Sequence, residues 1–146
     1  TTPSGRPDMA MTPDVEAAIT EIIESFPEST VCAVEDEDGG AYVTVDPVHL
    51  GDRLTPEFSW IKFQITFQYP ASDVYPLFIR PDVQRKGGPP ANGTPLGEGT
   101  AMAQYAGGSR RAEPAIQLSR RSNRLNPAVD TAALKLQKVL LWLRGL

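Results

Sequence analysis

The segment Ile116-Gln117-Leu118-Ser119 lies a short polar turn ahead of an Asn126-Pro127 helix-start signal. It is a place where a chain can hold a nucleophile, and the chemistry on offer is that of hydroxyls. Ser119 and Ser122 lie in or just after the segment, and Thr100 and Ser109 precede it. A serine hydroxyl attacks poorly unless a base takes its proton. The one histidine, His49, is far off in sequence, and Glu113 is the nearer carboxylate. Lysine or arginine neighbours could stabilise only an oxyanion. The one cysteine, Cys32, lies in a β-rich run with nothing electropositive beside it. It reads as a small buried hydrophobe and not as a reactive thiol.

The elements that must position these groups fit one domain. The chain has 146 residues, of which 40% are apolar, enough for a single core. Its net charge of −4 argues against a nucleic-acid partner. Around the opening segment, Arg110-Arg111 and Arg120-Arg121 form a local basic cluster. That cluster reads either as solvated surface or as a docking patch for an acidic partner. A single cysteine forms no internal disulfide framework, which points to the cytoplasm. With one histidine, an ordinary zinc cluster is excluded, and no cofactor is implied. No apolar run approaches the ~20 residues that cross a bilayer, so no membrane partner is expected. Residues 1–11 have no apolar signal core and read as a disordered lead-in to a domain at 12–146.

Within that domain, Val15, Ile19, Ile22, Ile23 and Phe26 fall on one helical face, with Thr12 as cap, Pro13 at the first position and Pro27 as the stop. Two β-rich runs, 30–34 and 41–45, flank Asp38-Gly39-Gly40 and predict a hairpin. Ile61, Phe63, Ile65 and Phe67 alternate with Trp60, Lys62, Gln64 and Thr66, the mark of a two-faced strand. A short strand follows within 76–83. From Gln84 to Pro114 the chain is rich in Gly and Pro, and the pattern predicts a long, partly mobile flap. A last helix is expected to start with Asn126 as cap and Pro127 as first residue. Val129, Ala133, Leu136, Leu140 and Leu143 form its apolar face, and Arg144-Gly145 close it.

Two stretches make this order more specific. One is Phe63-Gln64-Ile65-Thr66-Phe67 running to Tyr75-Pro76 and Arg80-Pro81-Asp82-Val83, with Tyr69-Pro70 as an extra copy of the turn. The other is Ile116-Gln117-Leu118, ten residues ahead of Pro127-Ala128. Together they resemble the ubiquitin-conjugating enzyme superfamily over roughly residues 13–143. There an F-x-I-x-F strand enters a Tyr-Pro turn, and an I-C-L segment carries the thioester cysteine ahead of a Trp-Ser-Pro-Ala helix start. The resemblance implies an α+β, ubiquitin-conjugating-enzyme-like fold: an N-terminal helix, a four-stranded antiparallel meander, a long loop and a C-terminal helix. It makes Gln117 the active-site-equivalent position, with glutamine in place of the cysteine. It puts Tyr75, Pro76, Arg120 and Arg121 on the partner-binding surface. The implied partners are a ubiquitin-like protein and an activating-enzyme-like protein.

The departures narrow the expected activity. Gln117 cannot form a thioester, the His-Pro-Asn motif of the family is absent, and its further C-terminal helices are missing. Three readings follow. One is a conjugation-pathway component that binds its partners without a cysteine. Another is a transferase carrying the ubiquitin-like protein as an oxyester, with Ser119 as the candidate catalytic residue. The third is a peptide-binding or scaffold module outside conjugation, with the Gly-Pro flap and exposed aromatics such as Tyr105 lining a peptide groove. The excess of Arg over Lys, with abundant Ala, Gly and Pro, is compatible with a GC-rich bacterial genome.

Overall fold

The computed structural model describes residues 10–107, 111–119 and 125–146. Along them run α1 (Pro13–Ser25), β1 (Thr30–Glu35), β2 (Ala41–His49), β3 (Leu54–Thr55), β4 (Phe58–Ile65), β5 (Leu77–Ile79), β6 (Gln84–Arg85), β7 (Thr100–Tyr105), β8 (Glu113–Leu118) and α2 (Ala132–Arg144). The fold is α+β. Six strands form one antiparallel sheet in the order β1-β2-β4-β5-β8-β7, and β3 pairs with β6 beside it. The expected four-stranded meander is therefore the first part of a larger sheet.

Alternation explains which face is buried. Val43, Val45, Ile61, Phe63, Ile65, Leu77, Ile79, Ile116 and Leu118 all point to one side and are buried. Both helices cover that side and touch each other. α1 begins as expected: Thr12 Oγ1 accepts from Val15 N at 3.2 Å, and Pro13 stands in the first turn. Its buried stripe is Val15, Ala18 and Ile22, whereas Ile23 is half exposed. Of the lead-in residues, Met11 packs against the core.

Four expectations change. Part of the flap is strand: β6 pairs with β3 in the small sheet, β7 is the edge strand of the large one, and β8 begins at Glu113. α2 starts five residues later than its sequence signal. Asn126 forms a turn, its Oδ1 accepting from Ala128 N and its carbonyl from Val129 N and Asp130 N. The helix then begins behind a new cap, Thr131 Oγ1, which accepts from Leu134 N. Val129 accordingly lies outside the helix and is exposed. Cys32 is exposed, because it sits on an edge strand and faces away from the helices. Phe67 lies past the end of β4 and is half exposed.

What locates α2 is the β4–β5 connection. The Tyr69 hydroxyl accepts from Ala132 N at 3.0 Å, and the Lys135 ammonium contacts both Asp73 carboxylate oxygens at 3.1 Å. Lys135 is buried there, and Asp73 nearly so. Behind this latch, Leu136, Val139, Leu140 and Leu143 enter the core.

Removing one partner of a buried ion pair strands the other charge. Asp73→Ala is expected to lower stability by about 3 kcal/mol, and Lys135→Met in that background to recover most of the loss. Tyr69→Phe, which leaves the first helical N–H without its acceptor, should cost about 1 kcal/mol. Urea unfolding of the three variants and the wild type measures all three effects. A double variant no more stable than Asp73→Ala would show that the pair is not the latch.

Candidate functional site

The second face of the sheet carries the chemistry. One cross-strand row reads Cys32, Thr44, Lys62, Phe78, Gln117 and Ala101, from β1 to β7. Among the described residues no helix covers it, and its roof is the far half of the β7–β8 hairpin. β5 pairs with β8 only from Ile116 to Leu118, so residues 113–115 are free of that ladder. By register, Glu113 stands four residues along the strand from the Lys62 row, and Tyr105 pairs with Glu113. Yet Lys62 Nζ is ion-paired with Glu113, and the Tyr105 ring lies 4.5 Å from that of Phe78. The hairpin therefore curls over the face, and Ala115 is fully buried beneath it. Lys62 also sits 4.4 Å from the centre of the Trp60 ring, a cation–π contact.

This curl leaves a groove of about 350 Å³. Tyr42, Tyr75, Phe78 and Tyr105 give it aromatic walls, and Gln64 and Gln104 add amides. Among the described residues, every side chain lining it is uncharged. Burial pushes the Tyr105 phenol up to about 12, with Tyr42 and Glu113 adding to the shift. Its hydroxyl is thus a neutral hydrogen-bonding group at physiological pH. Beside the groove, the Gln64 amide donates to Asp36 Oδ2 at 2.9 Å, tying the floor to the β1–β2 turn.

Among the residues singled out in the sequence, Gln117 and Ser119 come together. The Gln117 amide donates to Ser119 Oγ at 3.2 Å, and Ser119 N donates to Gly99 O at 2.8 Å. Gln117 sits mid-strand between β5 and β7. An amide is no base at neutral pH, so it does not activate the hydroxyl. Glu113 stands six residues up the chain from Ser119 and is committed to Lys62. His49 stacks on Phe58 at 4.9 Å and lies 3.7 Å from Glu57, whose carboxyl Lys86 holds below its ordinary range. It lines a different groove, of about 360 Å³, with Phe26 and Arg144. Thr100 is buried, its hydroxyl donating to Gly97 O and accepting from Leu96 N. Tyr75 and Pro76 do line the aromatic groove. Arg110, Arg120, Arg121, Ser109 and Ser122 lie outside the described residues.

Tyr105, expected among exposed aromatics lining a groove, does line it, whereas Tyr42 and Phe78 were not singled out in the sequence. Each is an aromatic at an outward-facing position of a strand, a signal that alternation could have given for Tyr42 and Phe78. Tyr105 lies in the Gly-rich stretch, where no alternation marked β7. Among the described residues no helix is long and apolar enough to cross a membrane. The chain matches no protein-family model, no curated protein and no solved structure.

The Tyr105 phenol gives a direct check on this geometry. Its folded value lies above the ordinary 10.0. Its contribution to stability is therefore complete below that value and is lost as pH rises toward about 12. Tyr69 is also raised by burial, so phenolate absorbance should lose one of two late-titrating phenols in Tyr105→Phe, and the alkaline loss of stability should be shallower in that variant. A late amplitude unchanged by the substitution would place Tyr105 in water.

Proposed function

We propose that the chain is a ubiquitin-conjugating-enzyme-like component of a ubiquitin-like protein conjugation pathway that binds its partners and carries no thioester. The observation that carries this reading is the setting of Gln117. It stands where the resemblance expects the cysteine, yet it is locked mid-sheet with its amide on Ser119 and, among the described residues, no base hydrogen-bonded to that hydroxyl. A few ångströms of sheet away, the Tyr75-Pro76 turn opens into the aromatic groove. Rigid tyrosines in an uncharged, partly desolvated groove are what protein recognition uses for anchors. The ubiquitin-like protein or its activating enzyme is the partner in this reading.

The test is to incubate the protein with ubiquitin-like protein, activating enzyme and ATP. The expected outcome is no covalent adduct, with co-elution of one partner. Tyr105→Ala should weaken that association by about tenfold or more, the loss of an aromatic anchor, whereas Ser119→Ala should leave it unchanged. An adduct that resists thiol but yields to mild base, and is lost in Ser119→Ala, would establish an oxyester-carrying transferase instead. An adduct lost in Cys32→Ala would overturn both readings. Neither adduct nor association would place the domain outside conjugation, as a peptide-binding or scaffold module.

A further inference from the structure

Of the three asparagines in the chain, one is followed by glycine: Asn92, in the loop between β6 and β7. The loop is anchored at its far end. Leu96 is fully buried, and its N–H donates to Thr100 Oγ1 at 3.1 Å, while that hydroxyl donates to Gly97 O at 2.7 Å. Asn92 itself is exposed. Its Oδ1 accepts twice from Thr94, from the backbone N–H at 3.2 Å and from the hydroxyl at 2.6 Å. Thr94 Oγ1 in turn accepts from Gly97 N at 3.0 Å, which leaves its own proton for Asn92.

Two donors on one amide oxygen form an oxyanion hole. When a nucleophile adds to Asn92 Cγ, negative charge develops on Oδ1, and both hydrogen bonds strengthen as it does. The nucleophile is next in the chain. Gly93 N reaches Asn92 Cγ by closing a five-membered ring, and glycine has no side chain to obstruct it. Its φ of 83° is one that glycine adopts without strain, and a Cβ built there would meet nothing within 4 Å. Gly93 is exposed, so solvent hydroxide has access to the loop.

Asn126 supplies an internal contrast. It too is exposed, and its Oδ1 accepts from the N–H two residues on, that of Ala128, at 3.1 Å. Residue 127 is proline, however, with no N–H to lose. The same kind of turn is closed to ring formation at Asn126 and open to it at Asn92.

We infer that Asn92 is a self-modification site, an asparagine that deamidates through a cyclic imide in the folded protein. Hydroxide takes the Gly93 amide proton. The nitrogen bonds to Asn92 Cγ, the Cγ–Nδ2 bond breaks, and Nδ2 leaves as ammonia with a proton from water. Water then opens the imide at either carbonyl and leaves aspartate or isoaspartate at position 92. Nothing is oxidised or reduced. Residues 87–97 carry no charged side chain, so the product puts the first negative charge into that stretch. The isoaspartate form also lengthens the backbone by one methylene ahead of the Leu96 anchor. The inference does not depend on what the aromatic groove binds.

Peptide mapping by mass spectrometry of the protein kept folded at mildly alkaline pH tests it, with enzymatic carboxyl methylation to reveal isoaspartate. The peptide carrying Asn92 should gain the mass difference between an amide and an acid, while that carrying Asn126 stays unchanged. The same protein held unfolded in guanidinium chloride is the reference, and the folded protein should convert about fivefold faster or more. Thr94→Val should lower the folded rate by about fivefold, the worth of one hydrogen bond, and leave the unfolded rate as it is. Thr94→Ser, which keeps the hydroxyl, should retain the fast rate. Asn92→Gln, which would need a six-membered ring, should abolish the conversion. A folded rate no higher than the unfolded one would overturn the inference. So would a folded rate that Thr94→Val leaves unchanged or raises.

Discussion

The latch between the β4–β5 connection and the first turn of α2 is the constraint on which the two faces of this molecule depend. α2 has 13 residues, a length at which an isolated helix is marginal in water. Its stability has to come from burial of Leu136, Val139, Leu140 and Leu143, which requires that it start at one place and lie at one angle. Tyr69 takes its first free N–H, Thr131 takes another, and Asp73 holds Lys135 at the rim of the core. A buried ion pair adds little net stability over an apolar pair of similar shape, but it punishes misplacement, because either charge left alone is costly. It acts here as a register device. Burial raises the Tyr69 phenol, and the Ala132 N–H opposes that shift. The hydroxyl stays neutral and serves as an acceptor.

The same connection continues to Tyr75-Pro76 and so reaches the other face. Tyr69 and Asp73 belong to the helix side, and Tyr75 and Pro76 to the groove. Few residues separate the two roles, so the position of α2 and the shape of the groove are set by one stretch of backbone. The opposite wall is set by the shortness of β5. Three residues of β5 leave the far part of β8 without a neighbour on that side. The hairpin is then free to bend, and Lys62–Glu113 and Phe78–Tyr105 hold it down. The ion pair is partly exposed, and such pairs contribute little alone. The ring contact and the full burial of Ala115 supply the apolar part of the closure.

Legibility of the sequence followed local chemistry. α1, the β1–β2 hairpin and β4 could be read because cap, turn and alternation agree with the tertiary environment. Asn126-Pro127 misled because the same residues favour a helix start and a tight turn, and nothing nearby says that the turn closes on itself before Thr131 restarts the chain. β7 escaped because an edge strand with one thinly covered face does not need large alternating apolar residues; Ala101, Ala103 and Gln104 give no period. Cys32 was misplaced for a related reason. Its run looks apolar, but the strand is an edge and the cysteine falls on the uncovered face. The groove required knowing that the hairpin bends, and that follows from the length of β5, a pairing property that no local pattern carries.

The regular sheet around Gln117 bears on what such a position can do. A residue that carries an acyl group must present its nucleophile to two large partners in turn, and it needs a proton acceptor at the attacking atom. Gln117 is held on both sides by ladder partners, and the one hydroxyl it touches receives a hydrogen bond from an amide. The aromatic groove asks for less. Its Phe78 and Tyr105 rings are already packed against each other, so binding there costs little ordering of those side chains. Preorganised recognition beside a strand with no activated nucleophile is what supports the proposed reading of this domain as a holder of proteins.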